Sequence, residues 1–389
     1  MNTLASSNYD AVIIGAGAAG LMCAATAGKS NKKVALIDHN KTPGKKILIS
    51  GGGRCNFTNI KTGHEYYQSE NKHFFKSALK NYTPDDFIKL VKSYDIEFYE
   101  KTLGQLFCRK SASEILNLLI KECQKAQVEM IYGEKNISVE HDGTMFKISN
   151  ENLTLMTPKV VIATGGLSIP QIGASDFGHK VAKKFGHKII PTRPALVPFK
   201  SQGFSHLAGV SILAEIKTNK KVYKENILFT HKGLSGPAIL KASLFWKSGE
   251  TLLINWVPDQ SLEQIMKNES LTLGALFKNY LPKKLSDTFL DQHNLSSQQR
   301  ISEISKKNRQ KLLETIHRFK ITPLGTEGFN KAEVTAGGVD TSFVCSQSME
   351  SKLRKGLYFI GEVLDVTGQL GGYNFQWAWA SGSLAGKNI

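Results

Sequence analysis

The stretch DAVIIGAGAAGLMCAATAGKSNKKVALID, Asp10 to Asp38, carries the pattern on which the fold is read. Ala11 to Ile14 is apolar, Gly15 to Gly20 is glycine-rich, Leu21 to Lys29 reads as a helix of small residues, and Val34 to Ile37 is apolar again. Strand, turn, helix and strand in that order predict a βαβ unit and hence a parallel sheet. Gly15, Gly17 and Gly20 form GxGxxG at the strand–helix junction. The first makes the tight turn, the second lets backbone approach a pyrophosphate, and the third lets the helix pack on the strand. NH groups at the helix start, around Ala18 and Ala19, then face the phosphates. Asp38 follows Gly20 by 18 residues, where a carboxylate accepts from a ribose hydroxyl. An acid there favours FAD or NAD over NADP, because it repels a 2′-phosphate.

Two further glycine clusters separate flavin from nicotinamide. After Lys45 and Lys46 comes Ser50, Gly51, Gly52, Gly53, Arg54, Cys55, Asn56. Consecutive glycines suit close passage of a large planar cofactor or its pyrophosphate; Arg54 can donate to phosphate, and Asn56 can donate and accept. Cys55 has no second cysteine until Cys108, so it reads as a buried inert thiol rather than half of a redox dithiol. Near the C-terminus, Gly356 to Glu362 forms an apolar strand ending in Gly361 and Glu362, suited to a ribityl chain. Gly371 to Asn374, with Gly372, Tyr373 and Asn374 as contacts, opens a helix whose NH groups would face the flavin pyrimidine edge. Trp377 and Trp379 on that helix read as core. Lys46, Thr164 and Gly165 join the expected cofactor contacts.

Composition narrows the class. The 389 residues are 41% hydrophobic and 21% charged, as in a folded multi-domain protein. No apolar run is long enough to span a membrane, and Met1 to Asp10 lacks the pattern of a secretory signal, so the expected address is the cytoplasm. Five scattered cysteines indicate neither disulfides nor a metal site. The net charge of +17 favours phosphates, anionic substrates or nucleic acid, though lysines spread along the chain are also what a solvated surface looks like. Lys306, Lys307, Arg309 and Lys311 read as one wet helix face.

Along the chain, residues 1–190 read as the first part of the nucleotide domain. They include helices from Thr83 to about Tyr94 and from Ser111 to about Ala126. β-like pieces follow at Val128 to Tyr132, Ile137 to Glu140, Met145 to Ile148 and Val160 to Ala163. Residues 191–260 read as an inserted β-rich, barrel-like unit, 261–322 as a small helical insert, and 323–389 as the return of the nucleotide domain.

Three motifs together, GAGAAG at Gly15 to Gly20, ISGGGRCNFTN at Ile49 to Asn59 and GEVLDVTGQLGGYNFQWAWASG at Gly361 to Gly382, resemble the bacterial NAD(P)/FAD-dependent oxidoreductases. That family includes proteins named aminoacetone oxidase and a bile-acid dehydro-intermediate reductase. FTHKGLSGPAIL at Phe229 to Leu240 and EVTAGGVD at Glu333 to Asp340 extend the resemblance over nearly the whole chain. It implies an α/β fold: a glutathione-reductase-like FAD domain interrupted by a β-barrel and a helical subdomain. Carried over, Gly15 to Gly20 and Asp38 hold the ADP half, and Gly52 to Asn56 the pyrophosphate and isoalloxazine side. Gly361, Glu362 and Gly372 to Asn374 hold the ribityl and pyrimidine end, and Ile137 or its neighbour Asn136 contacts the adenine. The family commonly has Glu where this chain has Asp38; both accept from a ribose.

The expected activity is hydride transfer between flavin N5 and a small organic substrate, an enone or an amine, with NAD(P)H as a reductant docking without a domain of its own. Tyr373, His231 and Arg193 are the candidates for the accompanying proton transfer, with Lys232 beside His231. Two other readings stand beside it: an RNA-associated flavoprotein of the tRNA-modifying kind, motivated by the charge although no RNA-binding motif occurs, and a non-catalytic flavin-binding protein.

Overall fold

A computed structural model describes residues 7–389, so the reading of Met1 to Asp10 as free of a secretory signal lies largely outside the described residues. The chain forms two compact units, one of Met1–Arg193 with Val334–Ile389 and one of Pro194–Glu333.

The first unit is built on a five-stranded parallel sheet in the order Leu357–Phe359, Val160–Ile162, Ala11–Ile14, Val34–Asp38, Glu129–Tyr132. Strands covered on both faces must be apolar at successive positions rather than at alternate ones. The VVI, AVII and VALI runs meet that demand and are buried throughout. The Ala18–Gly28 helix packs on the Tyr373–Lys387 helix through small residues. A Cβ on Gly382 would stand 2.5 Å from the Ala19 carbonyl oxygen, and one on Gly386 2.7 Å from that of Cys23. The two backbones touch because no side chain intervenes.

Trp377 and Trp379 anchor the closing helix in the core, as expected. Their indole NH groups donate to the carbonyls of Gly361 at 3.0 Å and Phe57 at 2.7 Å, and Trp379 stacks on Phe87. The Pro84–Lys92 helix begins with a capping box between Thr83 and Asp86. The second expected helix starts at Ser113 rather than Ser111, because the Ser111 hydroxyl accepts from the Ser113 NH and Ala112 becomes the N-cap.

The short β pieces after the Glu129–Tyr132 strand leave the parallel sheet. Ser138–His141, Phe146–Ser149 and Thr154–Thr157 form an antiparallel meander with Ser7–Asn8 on its edge. A three-stranded antiparallel sheet of Asn56–Asn59, Gln105–Cys108 and Phe98–Glu100 carries the end of the second glycine cluster.

The second unit is a seven-stranded antiparallel sheet, Phe319–Ile321, Leu252–Asn255, Ser211–Lys217, Val222–Thr230, Gly233–Ser235, Phe199–Lys200, Gly325–Thr326. Helices Lys283–Gln292 and Lys306–His317 share its hydrophobic core. Trp256 sits at the join, its ring against Phe229 of the sheet, Phe289 of a helix and Phe319 of the edge strand.

Candidate functional site

The glycine turn is held from both sides. A Cβ on Gly20 would lie 1.8 Å from the Gly15 carbonyl oxygen, and Gly15 has φ +111° with Ala163 backbone pressed against it. Gly17 differs: nothing lies within 4 Å of where its Cβ would stand. It is the N-cap of the Ala18–Gly28 helix and supplies no side-chain cap, so the first helical NH groups point at a space that protein leaves open. Gly52, Gly53 and Gly165 also have nothing within 4 Å of a Cβ, with φ of +66°, +80° and +71°. Beside Gly165 the Thr164 hydroxyl is buried without a partner. That hydroxyl packs against Gly178 rather than into the open space; the open glycines at a helix N-terminus are what fit a phosphate-bearing dinucleotide.

Asp38 already serves the turn. Its Oδ2 accepts from the Ala16 NH at 2.7 Å and its Oδ1 from the Asn40 NH at 2.8 Å. A carboxylate offers about four lone-pair sites, so capacity for ribose hydroxyls remains. Ile137, just ahead of the Ser138–His141 strand, is partly buried against the core, and Asn136 has φ +53°.

Lys46 and Glu362, 316 residues apart, meet at 2.6 Å, and Lys46 also donates to the Ser168 hydroxyl at 2.8 Å. Glu362 accepts further from the Thr335 NH at 2.8 Å and from the Ser168 hydroxyl at 3.1 Å. The Thr335 hydroxyl in turn accepts from the Leu167 and Ser168 NH groups. Ser168 and Thr335 were not among the expected contacts, although they stand just after the Thr164–Gly165–Gly166 turn and inside EVTAGGVD.

In the second cluster Arg54 is exposed and donates to the Tyr99 hydroxyl at 3.2 Å. Cys55 is fully buried at φ +47°, and burial pushes its thiol far above the ordinary range, so it stays protonated. With its amide oriented to satisfy both ends, Asn56 accepts from the Gly372 NH at 3.1 Å and donates to the Thr58 and Leu106 carbonyls. Gly372, at φ +95°, caps the Tyr373–Lys387 helix without a side chain. Asn374 closes the preceding loop through paired bonds with the Gly368 NH and carbonyl, both 2.9 Å.

Tyr373 is buried and stacks on Tyr66, with ring centroids 4.4 Å apart and planes 9° from parallel. The Tyr67 hydroxyl donates to the Tyr373 carbonyl at 3.0 Å. Tyr66 and Tyr67 carried no sequence signal of their own, since they follow the ISGGGRCNFTN motif on a single 3-10 turn and a two-residue strand whose partner is distant in the chain.

Arg193 is the last residue of the first unit's N-terminal part, and burial lowers its pKa while the Asp365 charge opposes that. Asp365 is buried, and desolvation raises its carboxyl pKa against the help of the Glu70 NH at 2.8 Å. Close in sequence to these groups, a cavity of about 730 Å³ is lined by Glu70, Lys72, His73, Lys188 and Asp340 among others. His231 and Lys232 belong to the second unit, exposed in the turn between its Val222–Thr230 and Gly233–Ser235 strands. Among the described residues there is no metal-ligating cluster, and no helix is long and apolar enough to cross a membrane.

A parallel Rossmann sheet with an open glycine turn and two more glycine clusters defines an FAD-dependent oxidoreductase. The chain belongs to the HI0933-like family, whose Rossmann-domain description matches residues 9–388. It is 47% identical over 392 residues to the ribosomal RNA dihydrouridine synthase of Escherichia coli, covering 98% of each chain. It is 43% identical to the protein of that name from Haemophilus influenzae, covering 97% of this chain and 98% of that one. A 3-dehydro-bile acid delta(4,6)-reductase from Clostridium scindens is 30% identical, covering 96% and 97%. Among solved structures, a quinol–fumarate reductase with menaquinol aligns at TM-score 0.50 and 16% identity over 99% of this chain and 71% of that one, a likeness of fold.

Proposed function

We propose that this protein reduces the C5–C6 double bond of a uridine in ribosomal RNA, with NAD(P)H as reductant. The observation that carries the reading is the 47% identity to a ribosomal RNA dihydrouridine synthase along 98% of both chains. The net charge of +17 supports a polyanionic substrate, and such a substrate implies a cytoplasmic enzyme. The chemistry also agrees across relatives. A delta(4,6)-reductase acting on a 3-dehydro bile acid reduces an alkene conjugated to a carbonyl. The uracil C5–C6 bond is likewise conjugated to the C4 carbonyl. In uracil the hydride goes to C6, β to the carbonyl, and the proton to C5; a 4,6-dienone is reduced by the same kind of conjugate addition, at its β or δ carbon.

FAD, when bound and reduced, supplies the hydride. The chain's own residues do the rest. Gly17, Ala18 and Ala19 present helix NH groups to the pyrophosphate, with Gly15 and Gly20 shaping the turn and Asp38 taking the ribose. Gly52, Gly53, Arg54 and Asn56 line the opposite side of the phosphates and the ring, while Cys55, expected among the contacts, is fully buried and only shapes the loop. Glu362, held by Lys46 and Ser168, offers its carboxylate to the ribityl hydroxyls beside Gly361, Thr164 and Gly165, and Gly372 to Asn374 close the pyrimidine end. Tyr373, fixed by its stack on Tyr66, is the proton source we assign first, and Arg193 the second. Ile137 remains the proposed adenine contact and His231 the weakest catalytic assignment, since it is an exposed turn residue.

The test is nucleoside mass spectrometry of unmodified rRNA incubated with the purified protein, FAD and NADPH or NADH. The expected result is dihydrouridine, made only when a reductant is present. RNA left unchanged while a dehydro-steroid enone is reduced would replace this reading with the small-molecule one that the bile-acid relative favours.

A further inference from the structure

The sheet of the second unit has one covered face and one open face. On the covered face Ile212, Ala214, Ile216, Ile227 and Phe229 are buried in that unit's core. Strand residues alternate between faces, so the intervening positions share the other face. Register places them in rows across four strands. Lys320 lies opposite Leu253, which lies opposite Lys217, which lies opposite Val222. The next row runs from Asn255 to Glu215 to Lys224, and Leu213 pairs with Asn226 beyond it. Lys217, Lys224 and Lys320 are exposed, Leu213 is 47% exposed and Val222 50%.

Lysines, amides and aliphatic groups thus alternate over an open antiparallel surface, with Glu215 as its one carboxylate among these strand positions. Lys220 extends it at the hairpin tip, and Lys224 also reaches Asp259. Pro194–Glu333 holds 20 Lys and Arg against 12 Asp and Glu, so the surrounding field has the same sign.

We infer that this open sheet face is a docking surface for the RNA backbone. The inference rests on the RNA reading above and deepens it by naming where the polyanion is held. Lys217 and Lys224 stand on adjacent strands one row apart, and Lys320 lies two strands from Lys217 across Leu253, so the ammonium groups are set apart to meet separate phosphates, while Leu213 and Val222 offer apolar contact to ribose and base. A sheet with no groove of its own contacts a flexible or irregular strand better than it reads base edges, so it holds RNA and leaves the choice of uridine to the flavin unit.

The experiment compares the full-length FAD-loaded protein with two triple variants, K217A/K224A/K320A on this face and K92A/K121A/K147A on exposed positions of the first unit. Both lose the same net charge. Binding to fluorescently labelled in vitro transcribed rRNA is measured by anisotropy at several salt concentrations. Dihydrouridine formation is scored separately by mass spectrometry. The face variant is expected to bind about tenfold or more weakly near ~0.1 M salt, with a slope of log K on log salt shallower by about 2 to 3. The control is expected to keep most of the wild-type slope, and the flavin spectrum of all three proteins should be the same. Equal binding by the face variant and wild type, or equal losses in both variants, overturns the docking surface even if wild type makes dihydrouridine. Loss confined to the face variant, with no dihydrouridine from any protein, upholds the surface and overturns the assigned reaction.

Discussion

Replacing Gly17 with alanine separates what the glycine turn does for the protein from what it does for the cofactor. No atom lies within 4 Å of the added Cβ, and φ −84° with ψ −170° is ordinary extended backbone for any residue. Two small effects then act on apoprotein stability. Alanine restricts the unfolded chain, worth about 0.4–1 kcal/mol in favour of folding. Alanine is also the poorer N-cap residue, which costs a few tenths up to about 1 kcal/mol. They nearly cancel, so the apoprotein midpoint in urea should stay within about 0.5 kcal/mol of wild type. The same methyl group enters the space where pyrophosphate must approach backbone. An intrusion of that size costs about 1–3 kcal/mol, or roughly 5- to 150-fold in the FAD dissociation constant. Flavin fluorescence titration of the apoprotein reads that loss directly. Gly20→Ala is the contrast, because its Cβ would be 1.8 Å from the Gly15 carbonyl oxygen; it should lower apoprotein stability by several kcal/mol or prevent folding. A Gly17→Ala protein that unfolds as readily as Gly20→Ala, or that binds FAD with wild-type affinity, would exclude this role for Gly17.

Further outcomes are expected elsewhere in the flavin unit. Lys46→Met leaves Glu362 without its cation and should cost about 1–3 kcal/mol by urea denaturation; adding Glu362→Gln should recover much of that, and a fully additive double variant would contradict the pairing. Four of the five cysteines are buried and Cys345 alone is partly exposed, with its thiol pKa lowered first by the Ser348 hydroxyl. An aromatic disulfide reagent should therefore react with about one thiol in the native protein and with all five after denaturation, and Cys55→Ser should retain flavin-dependent turnover. His187 is buried, its Nε2 2.7 Å from the Ser351 hydroxyl, and burial lowers its pKa. The unfolded state then binds the extra proton first, so stability from this group is complete above the unfolded value of about 6.5 and falls as pH drops from there through the folded value. His187→Phe should flatten that part of a stability–pH curve measured by thermal unfolding; an unchanged slope would exclude the assignment.

What the chain determined by itself is its local chemistry. The βαβ unit from Ala11 to Asp38 was legible because every feature of it is short-range: apolar runs, a turn that only glycines accept, and an acid at a fixed distance. Helix starts at Thr83 and near Ser111 were legible for the same reason, and Cys55 as an inert thiol followed from the missing neighbour. Tertiary structure decided what distant segments do together. Lys46 meets Glu362 across 316 residues, and Ser168 and Thr335 complete that cluster without a motif to mark them. Tyr66 found Tyr373 only through the pairing of Tyr67–Gln68 with Thr367–Gly368. The middle β pieces have the same alternation whether they extend a parallel sheet or form a separate meander, so pairing had to choose. In the second unit, period-two alternation told which residues share a face, while only the packing of Trp256 and its neighbours decided which face is covered and which lysines stay open to solvent. Local patterns record propensity and geometry within a few residues; partner choice is a long-range free-energy difference, and it is settled only when the whole chain has folded.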